Sequence, residues 1–164
     1  MPLVSGLLST GRTGCASPGT PETMATESNK RVVESLVEAI NQQDWARFDE
    51  LVAPGFVRHS STFGQSQART KESLRAYLMA EFETFPDGCE SINFLVAEGD
   101  KVVVHSRFRG TQAGALGPLP PTGRVLSADL ISVYRVVDGR IAEAWVEWDA
   151  LSGLIQLGHL RAPM

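Results

Sequence analysis

Apolar side chains in the first half of the chain recur at the spacing of an α-helix. The segment that begins at Lys30 has one apolar face, made of Val32, Val33, Leu36, Val37 and Ile40. Ser28 or Asn29 can cap the start of this helix, because both side chains accept hydrogen bonds from backbone N–H groups. The same spacing predicts a shorter helix over residues 45–51 and a third over residues 71–85.

The second half of the chain has the pattern of β-strands instead. β-Branched and aromatic residues fill residues 92–97, 101–109, 125–136 and 141–148, and turn sequences separate these segments. A short strand over residues 56–59 precedes the third helix. Helices followed by an antiparallel meander are the segregated α+β arrangement. We therefore predict an α+β fold in which N-terminal helices pack against a curved, mostly antiparallel sheet and leave a pocket at its open end.

Residues 1–27 differ from the rest, since they are rich in Gly, Ser, Thr and Pro and have few large apolar side chains. Such a segment buries too little surface to offset the entropy lost on ordering. A signal peptide is the alternative, but no Lys or Arg precedes the apolar stretch, and Ser5 and Gly6 interrupt it. We predict a disordered tail over 1–27, with Met24 as an alternative translation start, and one domain over 28–161.

Composition indicates which classes of partner and which cellular compartment to expect. The chain has 164 residues, of which 43% are hydrophobic and 21% charged, and its formal net charge is −4, as in ordinary globular proteins. It lacks a basic stretch with interleaved aromatic residues, so nucleic acid is not an expected partner. No apolar run reaches the roughly 20 residues that cross a bilayer. Cys15 and Cys89 have no metal-ligand spacing, and two free thiols fit a cytoplasmic protein.

A loop rich in Gly and Pro joins two strands of the predicted meander. Residues 110–124 read GTQAGALGPLPPTGR, and this sequence resembles the GTHxGxxxGxPPTGK signature of the SnoaL-like polyketide cyclases. That family is a branch of the cone-shaped α+β proteins related to nuclear transport factor 2. Four further passages resemble the family in the same order along the chain. They begin at Asp44, Phe85, Tyr134 and Asp149.

The resemblance implies a cavity enzyme that uses neither a metal nor an organic cofactor. Family members close a ring of an aromatic polyketide by intramolecular aldol condensation, with an Asp in the cavity as general acid and base. Asp149 best matches that position, and Glu147 is the alternative carboxylate on the same strand. An apolar pocket suits this chemistry, because desolvation raises the pKa of a carboxyl group. His59, which the resemblance puts at the cavity mouth, is the third catalytic candidate.

Five further residues are candidates for substrate binding: Trp145, His105, Arg107, Tyr134 and Phe63. Alternation puts Trp145 on the strand face that carries the candidate carboxylates. His105 and Arg107 share one face of their strand, where they could bind substrate, pair within the sheet or contact a second subunit. Tyr134 and Phe63 can form the walls of a pocket for a flat, polyketide-like hydrophobic ligand.

Three functions fit these features: an aldol-type cyclase, a non-catalytic pocket protein that binds a small hydrophobic molecule, and a hydrolase, dehydratase or isomerase. A cyclase predicts a closed, apolar cavity with one carboxylate of raised pKa and no water-activating pair. A hydrolase predicts His59 or His105 within hydrogen-bond reach of an acid and an ordered water, and a binding protein predicts a cavity whose acids are all held in ion pairs. Gln112 stands where the family signature has His, so the loop lacks that titrating group. An apolar face on an open sheet predicts a homodimer or homotetramer.

Overall fold

The computed structural model describes residues 20–60 and 68–161. Within them, helices come first and strands follow, which confirms the predicted α+β class. The elements in chain order are α1 (Pro21–Asn41), α2 (Trp45–Leu51), β1 (Val52–His59), α3 (Lys71–Thr84), β2 (Cys89–Glu98), β3 (Lys101–Thr111), β4 (Val125–Val137), β5 (Arg140–Trp148) and α4 (Ala150–Gln156).

The strands form one curved, open sheet in the order β1-β5-β4-β3-β2. β2 to β5 pair as an antiparallel meander, and β1 adds to β5 in the parallel direction. The long connection between β1 and β5, through α3 and three strands, allows this parallel pair, since parallel strands cannot be joined by a tight turn. The predicted mostly antiparallel sheet is therefore confirmed, and β1 becomes an edge strand of this sheet.

The first helix begins earlier than its apolar spacing predicts. It starts at Pro21, and the side chain of Thr20 caps it by accepting a hydrogen bond from the backbone N–H of Thr23. The cap predicted at Ser28 or Asn29 is wrong, because residues 21–27 extend the helix as an exposed segment with no buried apolar face. Residues 1–19 lie outside the described residues, and the division into a tail and a domain stays a prediction.

The two faces of the sheet have different surroundings. On the face turned toward α1 and α3, side chains such as Val104, Tyr134, Ala144 and Val146 are buried in the main hydrophobic core. We call this the inner sheet face. The outer sheet face has the alternating positions of the same strands, among them the half-exposed Ile131. Burial thus follows the alternation of side chains along the strands, apart from register shifts in β1, in β2 and between β4 and β5. Only the inner face can line an enclosed cavity.

The Gly- and Pro-rich loop is held by a buried amide and by close backbone contact. Gln112 has no exposed surface; its Nε2 donates to the carbonyl of Pro120, and its Oε1 accepts from the Thr122 hydroxyl and lies 2.9 Å from His159 Nε2. A Cβ atom at Gly114 would collide with the backbone carbonyl of Glu83. In this chain Gln112 therefore fixes the shape of the loop.

Cys89 is an exposed free thiol, and Cys15 lies outside the described residues. Among the residues described, none belongs to a helix that is long and apolar enough to span a membrane.

Candidate active site

A cavity of about 100 Å³ lies between the inner sheet face and helices α1 and α3. Most of its wall is apolar and comes from several elements, for example Leu36 of α1, Phe56 of β1, Leu78 of α3 and Leu130 of β4. The polar groups on the wall are few and are held by rigid elements. This combination of an apolar wall and a few convergent polar groups is typical of small-molecule sites.

Glu81 of α3 is the first of these polar groups. Glu81 is half-buried, and the hydroxyl of Tyr77 one turn earlier donates a hydrogen bond to its Oε1 at 3.3 Å. The pKa of Glu81 is raised from 4.5 to about 7, and burial is the largest cause. The hydroxyl of Tyr77 acts against this rise, an ionised Glu90 adds to it, and the charge of Arg58 acts against it. Glu81 can therefore both give and take a proton near neutral pH.

Arg58 brings a positive charge to the same cavity. It lies on the inner side of β1 and is only 5% exposed. Burial lowers the pKa of its guanidinium, while the nearby Tyr77, Tyr134 and Glu81 act in the opposite direction. An arginine side chain keeps its proton in proteins, so the cavity has a fixed cation beside a titrating carboxyl group.

Glu90 of β2 is a second carboxyl group on the cavity wall. The buried hydroxyl of Ser106 donates to its Oε1 at 2.6 Å. The side-chain amide of Asn41 accepts from the backbone N–H of Glu90 at 2.9 Å and donates to its carbonyl at 2.8 Å. Burial raises the pKa of Glu90 as well, and the Ser106 hydroxyl partly opposes this rise.

Two aromatic residues with polar groups also lie on the cavity wall. Tyr134 lies on the inner sheet face and lines the cavity, and burial raises the pKa of its hydroxyl. Its role in substrate binding stays a prediction. Trp148 also lines the cavity, and its Nε1 is the one buried side-chain nitrogen or oxygen without a hydrogen-bond partner among the described residues. A buried N–H without a partner costs about 1–3 kcal/mol.

The predicted catalytic carboxylates lie elsewhere. Asp149 is exposed and caps α4, because its carboxylate accepts from the backbone N–H of Ser152 at 3.0 Å and from the hydroxyl of Ser152 at 2.6 Å. The hydroxyl and then the backbone N–H of Ser152 hold its pKa below the usual value. This differs from the raised pKa that the sequence predicts for a cavity carboxylate at this position. Glu147 is exposed on the outer sheet face, opposite Ile131 of β4.

His59 has an acidic partner, but not in the cavity. Its Nε2 lies 3.0 Å from Oε2 of Glu143, and the Arg135 guanidinium binds the other carboxyl oxygen of Glu143 at 2.7–2.8 Å. The imidazole of His59 stacks on Trp145, with 4.8 Å between the ring centroids. Glu143 has a pKa held low first by His59 and then by Arg135. Trp145 therefore lies on the outer sheet face, where alternation puts it, and not on the cavity wall.

The remaining predicted binding residues also lie outside the cavity. His105 is on the outer sheet face, with Nδ1 at 3.1 Å from the Asn93 amide and its ring stacked on Phe94. Arg107 of β3 forms an ion pair with Asp129 of β4 through two hydrogen bonds. It therefore pairs within the sheet and does not line the cavity. Phe63 falls outside the described residues.

The three charged groups of the cavity, Glu81, Arg58 and Glu90, are not among the site residues predicted from the sequence. A signal for Glu81 exists, because it lies three, four and seven residues after Leu78, Tyr77 and Leu74, on the apolar face of α3. A carboxylate on a buried helical face costs free energy unless it has a role or a partner. Arg58 carries a similar signal, since it alternates with the buried Phe56 along β1.

Metal-binding arrangements are not evident in residues 20–60 and 68–161, where no three His, Cys, Asp or Glu side chains come together.

The family model described as SnoaL-like polyketide cyclase matches residues 30–157, so the chain belongs to this family. The fold is similar to that of IdmH, a candidate polyketide cyclase from Streptomyces antibioticus, with a TM-score of 0.72, 29% identity and coverage of 79% of this chain and 98% of that one. TsrD from Streptomyces laurentii has a TM-score of 0.71 and 30% identity, with 82% and 97% covered.

A candidate SnoaL-like polyketide cyclase from Jannaschia sp. CCS1 shares the fold, with a TM-score of 0.75, 24% identity and coverage of 90% and 100%. No protein of curated function matches the sequence significantly.

Proposed function

We propose that this protein is an acid/base catalyst that closes a ring in a polyketide-like substrate by intramolecular aldol addition. The observation that carries the proposal is the carboxyl group of Glu81, which lines the apolar cavity with a pKa of about 7. A general base works best when its pKa is near the working pH. The chemistry needs proton transfers and charge stabilisation only, so the proposal includes neither a metal nor an organic cofactor.

In the first step, formation of the enolate, Glu81, Arg58 and Tyr134 have different roles. Glu81 takes a proton from the carbon next to a substrate carbonyl, and the C–H electron pair moves into the enolate. The guanidinium of Arg58 stabilises the negative charge that develops on the enolate oxygen, with help from the hydroxyl of Tyr134. Fixed donors in a site with little water stabilise such a charge more than water does. The apolar wall holds the carbon skeleton and keeps solvent from the enolate.

The state of the cavity acids favours this function over simple ligand binding. A binding protein predicts acids held in ion pairs, yet among the described residues neither Glu81 nor Glu90 has an ion-pair partner within 4.0 Å. Each accepts a hydrogen bond from a hydroxyl instead. The acid beside His59 that a hydrolase predicts is Glu143, which lies on the outer sheet face. A dehydratase or isomerase would share the first proton transfer and differ in its product.

The catalytic roles of Asp149, His59 and Glu147 stay predictions. The rate at which the protein exchanges the hydrogens next to a substrate carbonyl tests them. Conservative substitutions at these three positions leave the cavity wall intact. If Glu81 is the base, Asp149→Asn, His59→Gln and Glu147→Gln each keep most of the wild-type proton-transfer rate. A cytoplasmic location likewise stays a prediction.

The proposed function predicts catalysed exchange of the hydrogens next to a carbonyl. The probe is a linear diketone, two acetyl groups joined by three methylene groups, dissolved in heavy water. We expect proton NMR to show faster loss of its α-hydrogen signals with the protein than with buffer, and a cyclic aldol product in the same tube. Exchange no faster than in buffer would contradict the proposed function.

We also propose that the protein forms a homodimer or a homotetramer through the outer sheet face. Phe94, Val96 and Ile131 are about half exposed on this face, and contiguous exposed apolar side chains mark interaction surfaces. We expect sedimentation velocity to show an oligomer, which Ile131→Lys dissociates. Leu151→Lys, a change at an equally exposed apolar residue of α4, is the matched control and keeps the oligomer. A monomeric wild-type protein would contradict this proposal.

A further inference from the structure

Two carboxyl groups from different elements meet at one cavity. Glu81 comes from the buried face of α3, and Glu90 comes from the start of β2. When Glu90 is ionised, its charge raises the pKa of Glu81, so the two groups lie within electrostatic reach of one another. The first proton transfer of the proposed function uses only Glu81. The second carboxyl group has no part in that step.

Glu90 has hydrogen bonds to both its backbone and its carboxyl group, which is more than a residue that only fills space needs. Asn41 of α1 bonds both the N–H and the carbonyl of its backbone, and Ser106 of β3 bonds its carboxyl group. Ser106 is itself fully buried. Partners from two elements therefore hold Glu90 on the cavity wall: α1 fixes its backbone and β3 its carboxyl group. Support of this kind by neighbouring hydrogen bonds is what a group with a defined catalytic geometry needs.

We infer that Glu90 is a second catalytic residue, the general acid that protonates the alkoxide formed when the ring closes, while Glu81 is the base. This inference rests on the proposed function. It also specifies the substrate class: a molecule with two carbonyl groups in one chain, of which one is enolised at Glu81 and the other accepts the new bond near Glu90.

The protons and electrons balance over one turnover. Glu81 removes the α-proton, and the resulting enolate carbon attacks the second carbonyl carbon, so that one C–C bond forms. The π electrons of that carbonyl move to its oxygen, which takes the proton from the carboxyl group of Glu90. Glu81 is then protonated and Glu90 is ionised. Transfer of one proton from Glu81 to Glu90 restores the starting state with no other reactant.

The test separates the two proton transfers on one probe. With the linear diketone in heavy water, α-hydrogen exchange needs only the base, whereas ring closure needs the base and the acid. We expect Glu90→Gln to slow ring closure by about a hundredfold or more, the usual scale for a general acid, and to keep exchange within a few-fold of wild type. Glu98→Gln, at the exposed far end of the same strand, is the matched control and changes neither rate.

Each of the other possible outcomes contradicts one specific claim. If Glu90→Gln closes the ring as fast as wild type, Glu90 is not the acid. If it loses exchange together with closure while its melting temperature is unchanged, Glu90 acts in the first step and the division of roles is wrong. If wild type catalyses neither reaction, the proposed function itself fails.

A second variant covers the case in which Glu90→Gln does not fold. Ser106→Ala removes the hydroxyl that positions Glu90 but leaves the carboxyl group in place. We expect slower closure with exchange retained, and equal loss of both rates would overturn the inference.

Discussion

Replacement of Glu81 by Gln is expected to lower the rate of α-hydrogen exchange by two or more orders of magnitude, the usual effect of removing a general base. The amide keeps the size of the side chain and can still accept from the hydroxyl of Tyr77, but it cannot take a proton. The loss therefore comes from the chemistry and not from a collapsed cavity. Proton NMR of the diketone probe in heavy water measures the exchange rate directly.

The pH dependence of the same rate gives an independent signature of Glu81. The base must be ionised, so the wild-type rate falls as the pH falls through about 7, the pKa that burial gives to this carboxyl group. Glu81→Gln loses this acid limb along with the rate. Glu83→Gln, on the exposed side of the same helix, is the matched control and keeps both. A Glu81→Gln protein that exchanges as fast as wild type would remove Glu81 from the mechanism.

Replacement of Arg58 by Gln is expected to lower the exchange rate by about a hundredfold to a thousandfold, the scale seen when one oxyanion-stabilising donor is removed. Its guanidinium is the fixed cation of the cavity, and a neutral amide cannot stabilise an enolate to the same degree. The substitution also changes the pH profile. Because the charge of Arg58 lowers the pKa of Glu81, its removal raises that pKa and shifts the acid limb to higher pH.

Two controls separate this effect from a general loss of structure. Arg109→Gln removes an exposed arginine from the outer side of β3 and leaves rate and profile unchanged. Thermal unfolding of Arg58→Gln shows whether the buried substitution disturbs the fold. An acid limb that stays in place while the rate falls would show that Arg58 acts on the structure and not on the charge of the cavity.

The fold could be predicted from the sequence because its signals are local and repeat along the chain. Helical spacing marks α2 and α3, alternation marks the strands, and the loop over 110–124 identifies the family. The start of α1 could not be found in this way, because residues 21–27 bury no apolar face. A helical segment that has a cap but no buried face shows no apolar periodicity, so its start cannot be predicted from the spacing of apolar residues.

The candidate site was harder to predict because strand alternation does not say which face is enclosed. The sequence correctly puts Glu147 and Trp145 on one side of β5 and Val146 and Trp148 on the other. Only the packing of α1 and α3 decides that the second side lines the cavity. The family resemblance implies Asp149 as the catalytic carboxylate, but in the structure this carboxylate caps α4.

The central claim is that the cavity holds a carboxyl group that titrates near neutral pH. Carbon NMR of protein labelled at the Glu carboxyl carbons measures this directly, and the resonance absent from the Glu81→Gln spectrum is that of Glu81. The structure predicts a titration midpoint near pH 7 for this resonance. A midpoint near the ordinary value of 4.5 would show that Glu81 is fully ionised at neutral pH, like an exposed carboxylate, and would contradict its assignment as a base tuned by burial.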